Sequence, residues 1–284
     1  MKFYLAGLGN WFNDFTLIEK AVIEADKLGF DGAVMPDHYM WGQTEWMHRP
    51  DSNVTLETWI ALTYLAGKTE QIKLGTLVTP IPFRPPSILA KMVSTLDVLS
   101  GGRAVFGVGA GWSQVEFDGY SEWDEPKVRV DKTEEGLKLM IDLWTQEEVS
   151  FKGDFYQAEK AVLEPKTVQQ PYPPLLFGGR KHRMLRLAGK FGDIVYIPQF
   201  GESEPYGERK KIVMMAAKKA NRQNKVAFME GPMMMGAYNS EESIKQVEMA
   251  TESDAKYFLT SLPRNEKFIE SIQSFAQDVI PSFK

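Results

Sequence analysis

The sequence contains no cysteine and only three histidines among its 284 residues. The absence of cysteine excludes disulfide bonds, thiolate nucleophiles and thiolate-ligated metals, and such a chain suits a reducing compartment. The apolar run at the N-terminus is too short for a secretory signal, and no apolar stretch reaches the length needed to cross a bilayer. We therefore expect a cytoplasmic protein with no membrane partner.

Concentrated positive charge is also missing. The 33 lysines and arginines and the 38 acidic residues are mixed along the chain, and the formal net charge is -5. Because nucleic-acid binding needs a basic patch, we expect no nucleic-acid partner. The sequence also lacks metal-ligand spacing, a Gly-x-Ser-x-Gly elbow and a P-loop, so we expect no bound metal.

What the sequence does have is a regular alternation of short apolar runs and helical patterns. Eight runs are predicted to be strands: residues 2–8, 31–36, 72–79, 104–108, 175–177, 193–197, 226–235 and 256–260. A helical pattern follows each of them, and eight strand–helix units are typical of a (β/α)₈ TIM barrel. A doubly wound open sheet is the alternative. With 43% hydrophobic residues, residues 1–284 are expected to form a single α/β domain.

The alternation of strands and helices is interrupted once, between the fourth and fifth predicted strands. Residues 109–124 read as an excursion, and residues 150–158 alternate about a glycine, which predicts a small hairpin. Elsewhere the helix starts carry their own signals. Thr16 and Glu19 have the spacing of a capping box, and Pro85-Pro86 predicts the start of the helix after the third strand.

Candidate catalytic residues follow the second predicted strand directly. Asp37 and His38 stand at its end, with Trp41 in the loop beyond. In a barrel, active sites lie where strands end and loops begin. An imidazole exchanges protons near neutral pH, and a neighbouring carboxylate such as Asp37 would fix its tautomer. A loop histidine bonded to a backbone carbonyl is the alternative interpretation of His38.

Glycines mark the ends of three further strands. Gly75 begins the segment 75–80 (GTLVTP), where a glycine lets the backbone approach a flat ligand. Residues 107–112 (GVGAGW) lack the spacing of a dinucleotide loop, and they favour a chain that runs close beneath a ring system, with Trp112 as a wall. Residues 178–181 (GGRK) open a helix, which is typical of an anion site. The alternative interpretation is that these glycines only allow tight turns and that Trp112 has a purely structural role.

Four segments, taken in order, resemble the bacterial-luciferase-like superfamily. They are residues 28–38 (LGFDGAVMPDH), 74–112 (LGTLVTPIPFRPPSILAKMVSTLDVLSGGRAVFGVGAGW), 151–156 (FKGDFY) and 173–180 (PPLLFGGR). Within that superfamily they look like the branch that depends on the deazaflavin coenzyme F420, which includes methylenetetrahydromethanopterin reductases and glucose-6-phosphate dehydrogenases. The resemblance implies a (β/α)₈ barrel and a homodimer.

The resemblance also implies roles for individual residues. His38 would be the catalytic acid or base beside the cofactor ring, with Asp37 as its catalytic partner. The residues expected to bind the cofactor are Asp37, Thr76, Leu77, Val78, Gly109, Trp112, Gly178, Gly179 and Arg180. Those expected to line the substrate pocket are Trp41, Trp112 and Glu116. A cis peptide bond that does not involve proline is expected at or next to Leu77–Val78.

The substrate is not implied by the resemblance. In deazaflavin-dependent sugar-phosphate dehydrogenases a glutamate proton donor follows the glycines of the fourth strand, where this chain has Trp112, with Glu116 further along. Their sugar-phosphate-binding lysines have no counterpart around residues 198–204. We therefore expect a small organic substrate other than a sugar phosphate.

Three functions are consistent with the sequence. The first is F420-dependent hydride transfer, which the Asp37-His38 pair favours. The second is an FMN-dependent monooxygenase that uses reduced flavin and oxygen, and the barrel and the glycine pair fit it equally well. The third is a non-catalytic flavin-binding protein, which would have a blocked barrel mouth.

Overall fold

The strands of the computed structural model, which describes residues 1–9, 14–40, 54–199, 204–232, 238–263 and 265–284, are mostly short and parallel. They are β1 (Lys2–Ala6), β2 (Gly32–Met35), β3 (Lys73–Thr76), β4 (Thr79–Pro80), β5 (Ala104–Gly109), β6 (Val149–Lys152), β7 (Gln157–Ala161), β8 (Leu175–Gly178), β9 (Ile194–Tyr196), β10 (Ala227–Glu230) and β11 (Tyr257–Ser261).

Eight of these strands form a closed parallel barrel. Their order is β3-β2-β1-β11-β10-β9-β8-β5, and β3 pairs with β5, with Leu74 opposite Ala104 and Gly75 opposite Val105. The predicted (β/α)₈ TIM barrel is therefore confirmed, and the open-sheet alternative is wrong because no edge is left between β3 and β5. Strands β6 and β7 pair antiparallel outside the barrel, which confirms the predicted hairpin.

Helices connect the barrel strands. They are α1 (Phe15–Lys27), α2 (Thr58–Ala66), α3 (Pro86–Leu99), α4 (Gln114–Tyr120), α5 (Pro126–Thr145), α6 (His182–Phe191), α7 (Tyr206–Lys219), α8 (Ser240–Glu252), α9 (Phe268–Asp278) and α10 (Ile280–Phe283). The short helix α4 lies within the predicted excursion, residues 109–124, and the hairpin follows α5. No helix among the described residues is long and apolar enough to cross a membrane.

The start of α1 differs from the prediction. Asp14 is the N-cap, and its carboxylate accepts a hydrogen bond from the Leu17 N–H. Thr16 already lies in the first turn, so the predicted capping box is wrong, and Glu19 accepts from the Tyr64 hydroxyl instead. The predicted start of α3 is confirmed, with Pro86 as its first residue.

The third predicted strand is also interrupted. Residues 72–79 were expected to be continuous, but β3 ends at Thr76, and the Leu77–Val78 peptide bond is cis, as predicted. At this point the Gly107 N–H donates to the Thr76 side-chain hydroxyl. The seventh strand ends earlier than predicted, at Glu230; its predicted part 233–235 lies outside the described residues.

The core has two layers, because the strands of a barrel are buried on both faces. Inside the barrel, one cluster of side chains fills the interior: Tyr4, Ala6, Val34, Val105, Leu176, Ile194, Tyr196, Met229 and Leu259. The alternate residues on the same strands, such as Phe3 and Leu5 on β1, pack under the surrounding helices. The filled interior makes the C-terminal ends of the strands the place where a ligand can bind.

Candidate active site

Asp37 lies just beyond the end of β2 and is almost completely buried. Both of its oxygens bind Arg84: Nη1 donates to Oδ2 at 2.7 Å and Nη2 donates to Oδ1 at 2.9 Å. Glu57 accepts a further bond from Arg84 Nη2 at 2.5 Å. Burial is the largest single influence and lowers the pKa of Arg84, but the charge and hydrogen bond of Asp37, together with Tyr39 and Glu57, outweigh it, and the net shift of this pKa is upward. The guanidinium therefore stays charged and two carboxylates share it.

Asp37 also reaches the segment that follows β3. The Thr79 hydroxyl donates to Asp37 Oδ2 at 2.8 Å, and the Trp59 indole N–H donates to the Thr79 oxygen at 3.2 Å. These bonds join the end of β2, the segment after β3 and helix α2. Asp37 was expected to fix the tautomer of His38, but the hydrogen bonds described here for its oxygens come from Arg84 and Thr79.

Glu116 binds His38 instead. His38 Nδ1 lies 2.6 Å from Glu116 Oε2, and Glu116 Oε1 accepts from the Tyr39 N–H at 2.6 Å. The Glu116 side chain is 0% exposed and His38 is 8% exposed. Trp112 stands edge-on to the imidazole, with ring centroids 5.6 Å apart, and is 48% exposed. Glu116 was expected in the substrate pocket, but its carboxylate has no exposed surface.

Tyr39 completes the wall beside this pair. The Arg84 guanidinium lies 4.8 Å from the centroid of its ring, and the Tyr120 ring packs on it at 4.8 Å. Burial raises the pKa of the Tyr39 hydroxyl, and the Arg84 charge only partly opposes that shift. The phenol therefore stays protonated, and it extends the aromatic surface around His38.

The cofactor-binding residues expected after β3, β5 and β8 lie together. A Cβ atom on Gly109 would come within 2.4 Å of Val78 Cγ2, and one on Gly178 within 2.8 Å of Val78 Cγ1. Both glycines thus make room for the Val78 side chain, which occupies the space between β5 and β8. Thr76 is buried and binds the Gly107 N–H. The segment Leu77–Val78 is packed tightly enough to present a fixed surface.

The expected anion site lies where β8 leads into α6. The Gly179 N–H donates to the Tyr196 carbonyl at 3.3 Å, and a Cβ at Gly179 would lie 2.9 Å from Met184 Cβ. Gly179 is therefore needed for packing, and its N–H is already used within the fold. Among the described residues, α6 has no side-chain cap. The N–H groups of its first turn, with Arg180 beside them, have the chemistry of an anion site.

The neighbouring cation Arg183 has a structural role. Its guanidinium donates to the Lys127 carbonyl at 2.9 Å and pairs with Asp131. Arg183 thereby ties α6 to α5.

Several functional residues were not found from the sequence. Arg84 and Glu57 complete the Asp37 cluster, and Thr79 and Trp59 connect it to the segment after β3. A lone arginine between Phe83 and Pro85 in an apolar stretch was the available signal, because a buried arginine needs a carboxylate partner. Trp41 lies outside the described residues. Within them, no group of three or more His, Cys, Asp or Glu could hold a metal ion.

The fold is shared with a solved F420-dependent secondary alcohol dehydrogenase in complex with an F420-acetone adduct. The TM-score is 0.82 at 23% sequence identity, and the match covers 100% of this chain and 99% of that one. At this identity the likeness concerns the fold.

Two proteins of similar sequence are named for different cofactors. An F420-dependent glucose-6-phosphate dehydrogenase of Amycolatopsis mediterranei is 31% identical over 185 residues, 64% of this chain and 53% of that protein. An FMNH₂-dependent dimethylsulfone monooxygenase of Pseudomonas putida is 34% identical over 130 residues, 45% of this chain and 36% of that protein. The match to this chain thus spans about half the length of these relatives or less.

The sequence model of one family extends along almost the whole barrel. It is described as luciferase-like monooxygenase, and it matches residues 11–276. This chain belongs to the luciferase-like monooxygenase family.

Proposed function

We propose that this protein is an F420-dependent oxidoreductase that transfers a hydride between the deazaflavin and a small organic substrate not yet identified. The observation that carries the proposal is the His38–Glu116 pair, which presents an imidazole beside the exposed ring of Trp112 at the C-terminal ends of the strands. Similarity to the dehydrogenase of A. mediterranei supports it. We place the whole chain in one catalytic domain of this kind.

The residues present fit this cofactor. The segment Leu77–Val78 would lie behind the ring, and the first turn of α6 with Arg180 would bind the phosphate. When bound, the deazaflavin supplies a carbon that accepts or donates a hydride. Trp112 would form the wall opposite Val78. The Asp37–Arg84 pair would hold the segment after β3 in place through Thr79.

In this proposal, His38 is the residue that takes or gives the proton. When a hydride leaves or reaches a carbon that bears oxygen, a proton must leave or reach that oxygen. An imidazole near the ring can take or give this proton, and such general acid–base catalysis contributes about 10²–10⁴-fold to the rate. The aromatic surface of Trp112 and Tyr39 would exclude water from the reacting atoms.

A second candidate is an FMN-dependent monooxygenase. Similarity to the P. putida monooxygenase favours it, and the same phosphate site would serve.

Titration of the purified protein with F420 and with FMN, each oxidised and reduced and at matched salt, distinguishes the two. We expect tighter binding of F420. Tenfold tighter binding of FMN, about 1.4 kcal/mol, would reverse the order. Binding without turnover on alcohols, ketones and electron-poor alkenes would favour a non-catalytic flavin-binding protein.

We further propose a homodimer in the cytoplasm. Adjacent helices α2 and α3 expose large apolar side chains, namely Ile60, Tyr64, Ile88 and Leu99. Exposed apolar surface of this kind is typical of an interface. Light scattering should give twice the chain mass for the native protein and a single chain mass for Ile60→Glu. The exposed Met249 on α8 offers a control, because Met249→Glu should stay dimeric. Cell fractionation tests the location.

A further inference from the structure

Glu116 has a feature that a substrate-contacting carboxylate would not need. It is fully buried, and its two oxygens face two different partners, the imidazole of His38 and the backbone N–H of Tyr39. We propose that Glu116 is a positioning residue that fixes His38 as the Nδ1–H tautomer, so that Nε2 is the nitrogen that exchanges the proton. The structural part stands by itself; the catalytic consequence rests on the proposed function.

The tautomer of His38 follows from which of the two groups can donate a hydrogen bond. An ionised carboxylate only accepts, so a neutral His38 that binds Glu116 Oε2 at 2.6 Å must carry its proton on Nδ1. The lone pair of the ring then lies on Nε2, on the other side of the imidazole. In metal sites, a partner on one ring nitrogen sets what the other nitrogen can do in the same way.

Asp37, the neighbour of His38 in sequence, is unsuited to this task. Its oxygens bind the Thr79 hydroxyl, which belongs to the segment after β3, and Arg84, which follows that segment. A second carboxylate from α4 therefore takes the orienting position.

The amide of glutamine cannot replace this carboxylate. Glutamine has one oxygen and one NH₂ group, whereas both His38 and Tyr39 present donors to Glu116. If the oxygen accepts from the Tyr39 N–H, the NH₂ group faces Nδ1 and demands a lone pair there. The imidazole must then move its proton to Nε2. Glu116→Gln thus preserves shape and reverses the tautomer.

Nitrogen NMR of histidine reads this tautomer directly, before any cofactor is added. The chain has three histidines, and His48→Gln and His182→Gln assign the other two signals. Spectra recorded over roughly pH 6–9 separate neutral rings from imidazolium. We expect the Nδ1–H form for His38 in the native protein and the Nε2–H form in Glu116→Gln. An Nε2–H form in the native protein, or an Nδ1–H form retained in a folded Glu116→Gln variant, would overturn the proposal.

A matched control separates positioning from mere stabilisation. Glu135 is also a carboxylate that accepts from backbone N–H groups, those of Asp154, Phe155 and Tyr156. Glu135→Gln should reduce stability and leave the His38 tautomer as it is. If both variants lose stability and neither changes the tautomer, Glu116 is only a structural anchor.

Turnover gives the second readout. The test needs a substrate found among the alcohols, ketones and electron-poor alkenes. With it, Glu116→Gln should lower kcat by roughly 10–100-fold and alter the pH profile of kcat. KM and the Kd of F420 should stay nearly unchanged. Glu135→Gln should change none of these. If no substrate is turned over with any cofactor, the proposed function fails while the NMR result stands. If the tautomer is reversed and kcat is unchanged, the catalytic consequence is wrong.

Discussion

Arg84 binds both oxygens of Asp37 in a buried, two-pronged ion pair, with donor–acceptor distances of 2.7 and 2.9 Å. The pair connects the end of β2 to the segment after β3 through Thr79. Geometry of this kind favours arginine over lysine, because the planar guanidinium matches a carboxylate with two parallel bonds.

Removal of Arg84 should be costly. Arg84→Ala leaves the Asp37 charge buried without its partner, and the expected loss in the free energy of unfolding is about 3–5 kcal/mol. Arg84→Lys keeps the charge and loses one prong, so its loss should be smaller. The surface pair of Lys211 with Glu208 offers the control, because Lys211→Ala should cost less than about 1 kcal/mol. Urea unfolding measures all three; equal losses for Arg84→Ala and Lys211→Ala would contradict the structural role of the pair.

Loss of the His38 imidazole should affect the reaction more than the binding. His38→Ala should lower kcat by about 10²–10⁴-fold, because it removes the group that exchanges the proton. The Kd of the cofactor should change little, since the expected phosphate site lies on α6. Steady-state kinetics and a cofactor titration on the same preparation check both values. Unchanged kcat would make His38 a structural residue.

Salt dependence should distinguish the two arginines at the start of α6. Arg180→Ala should weaken cofactor binding more at low salt than at high salt, because salt screens a charge that solvent reaches. Arg183→Ala should have a smaller effect, since Arg183 pairs with Asp131 on α5. Titrations at two salt concentrations test this, with riboflavin as the ligand that lacks phosphate. Equal affinity for riboflavin and FMN would count against a phosphate site here.

The fold was predictable from the sequence because alternation of strands and helices is a local signal. The exceptions depend on contacts between distant residues. β3 ends at Thr76, whose hydroxyl accepts a hydrogen bond from the N–H of Gly107, 31 residues away. Asp14 and Thr16 are both common capping residues, and the local pattern alone did not decide between them.

The candidate site was predictable only in part, for a geometric reason. Asp37 and His38 are adjacent, which suggested that they bind each other. In the fold, however, His38 binds Glu116, 78 residues further along, and Asp37 binds Arg84, 47 residues further along. Sequence position identified which residues carry chemistry, and the tertiary fold decided their partners.

The fit between Gly109 and Val78 yields the final prediction. A Cβ on Gly109 would come within 2.4 Å of Val78 Cγ2, so Gly109→Ala should displace the segment proposed to lie behind the cofactor ring. We expect cofactor affinity to fall by tenfold or more, about 1.4 kcal/mol. Gly207 at the start of α7 provides the matched control, because nothing lies within 4 Å of the position of its Cβ. Gly207→Ala should leave the affinity unchanged.

A second substitution tests whether the clash itself is the cause. Val78→Ala removes the methyl group that an alanine at position 109 would meet, so the double variant Gly109→Ala/Val78→Ala should bind the cofactor more tightly than Gly109→Ala alone. Residues in contact show coupling of about 0.5–3 kcal/mol in such cycles. Additive losses would mean that Gly109 acts by another route, for instance through the backbone freedom of β5. Recovery would show that the clash with the Val78 methyl group causes the loss of affinity in Gly109→Ala.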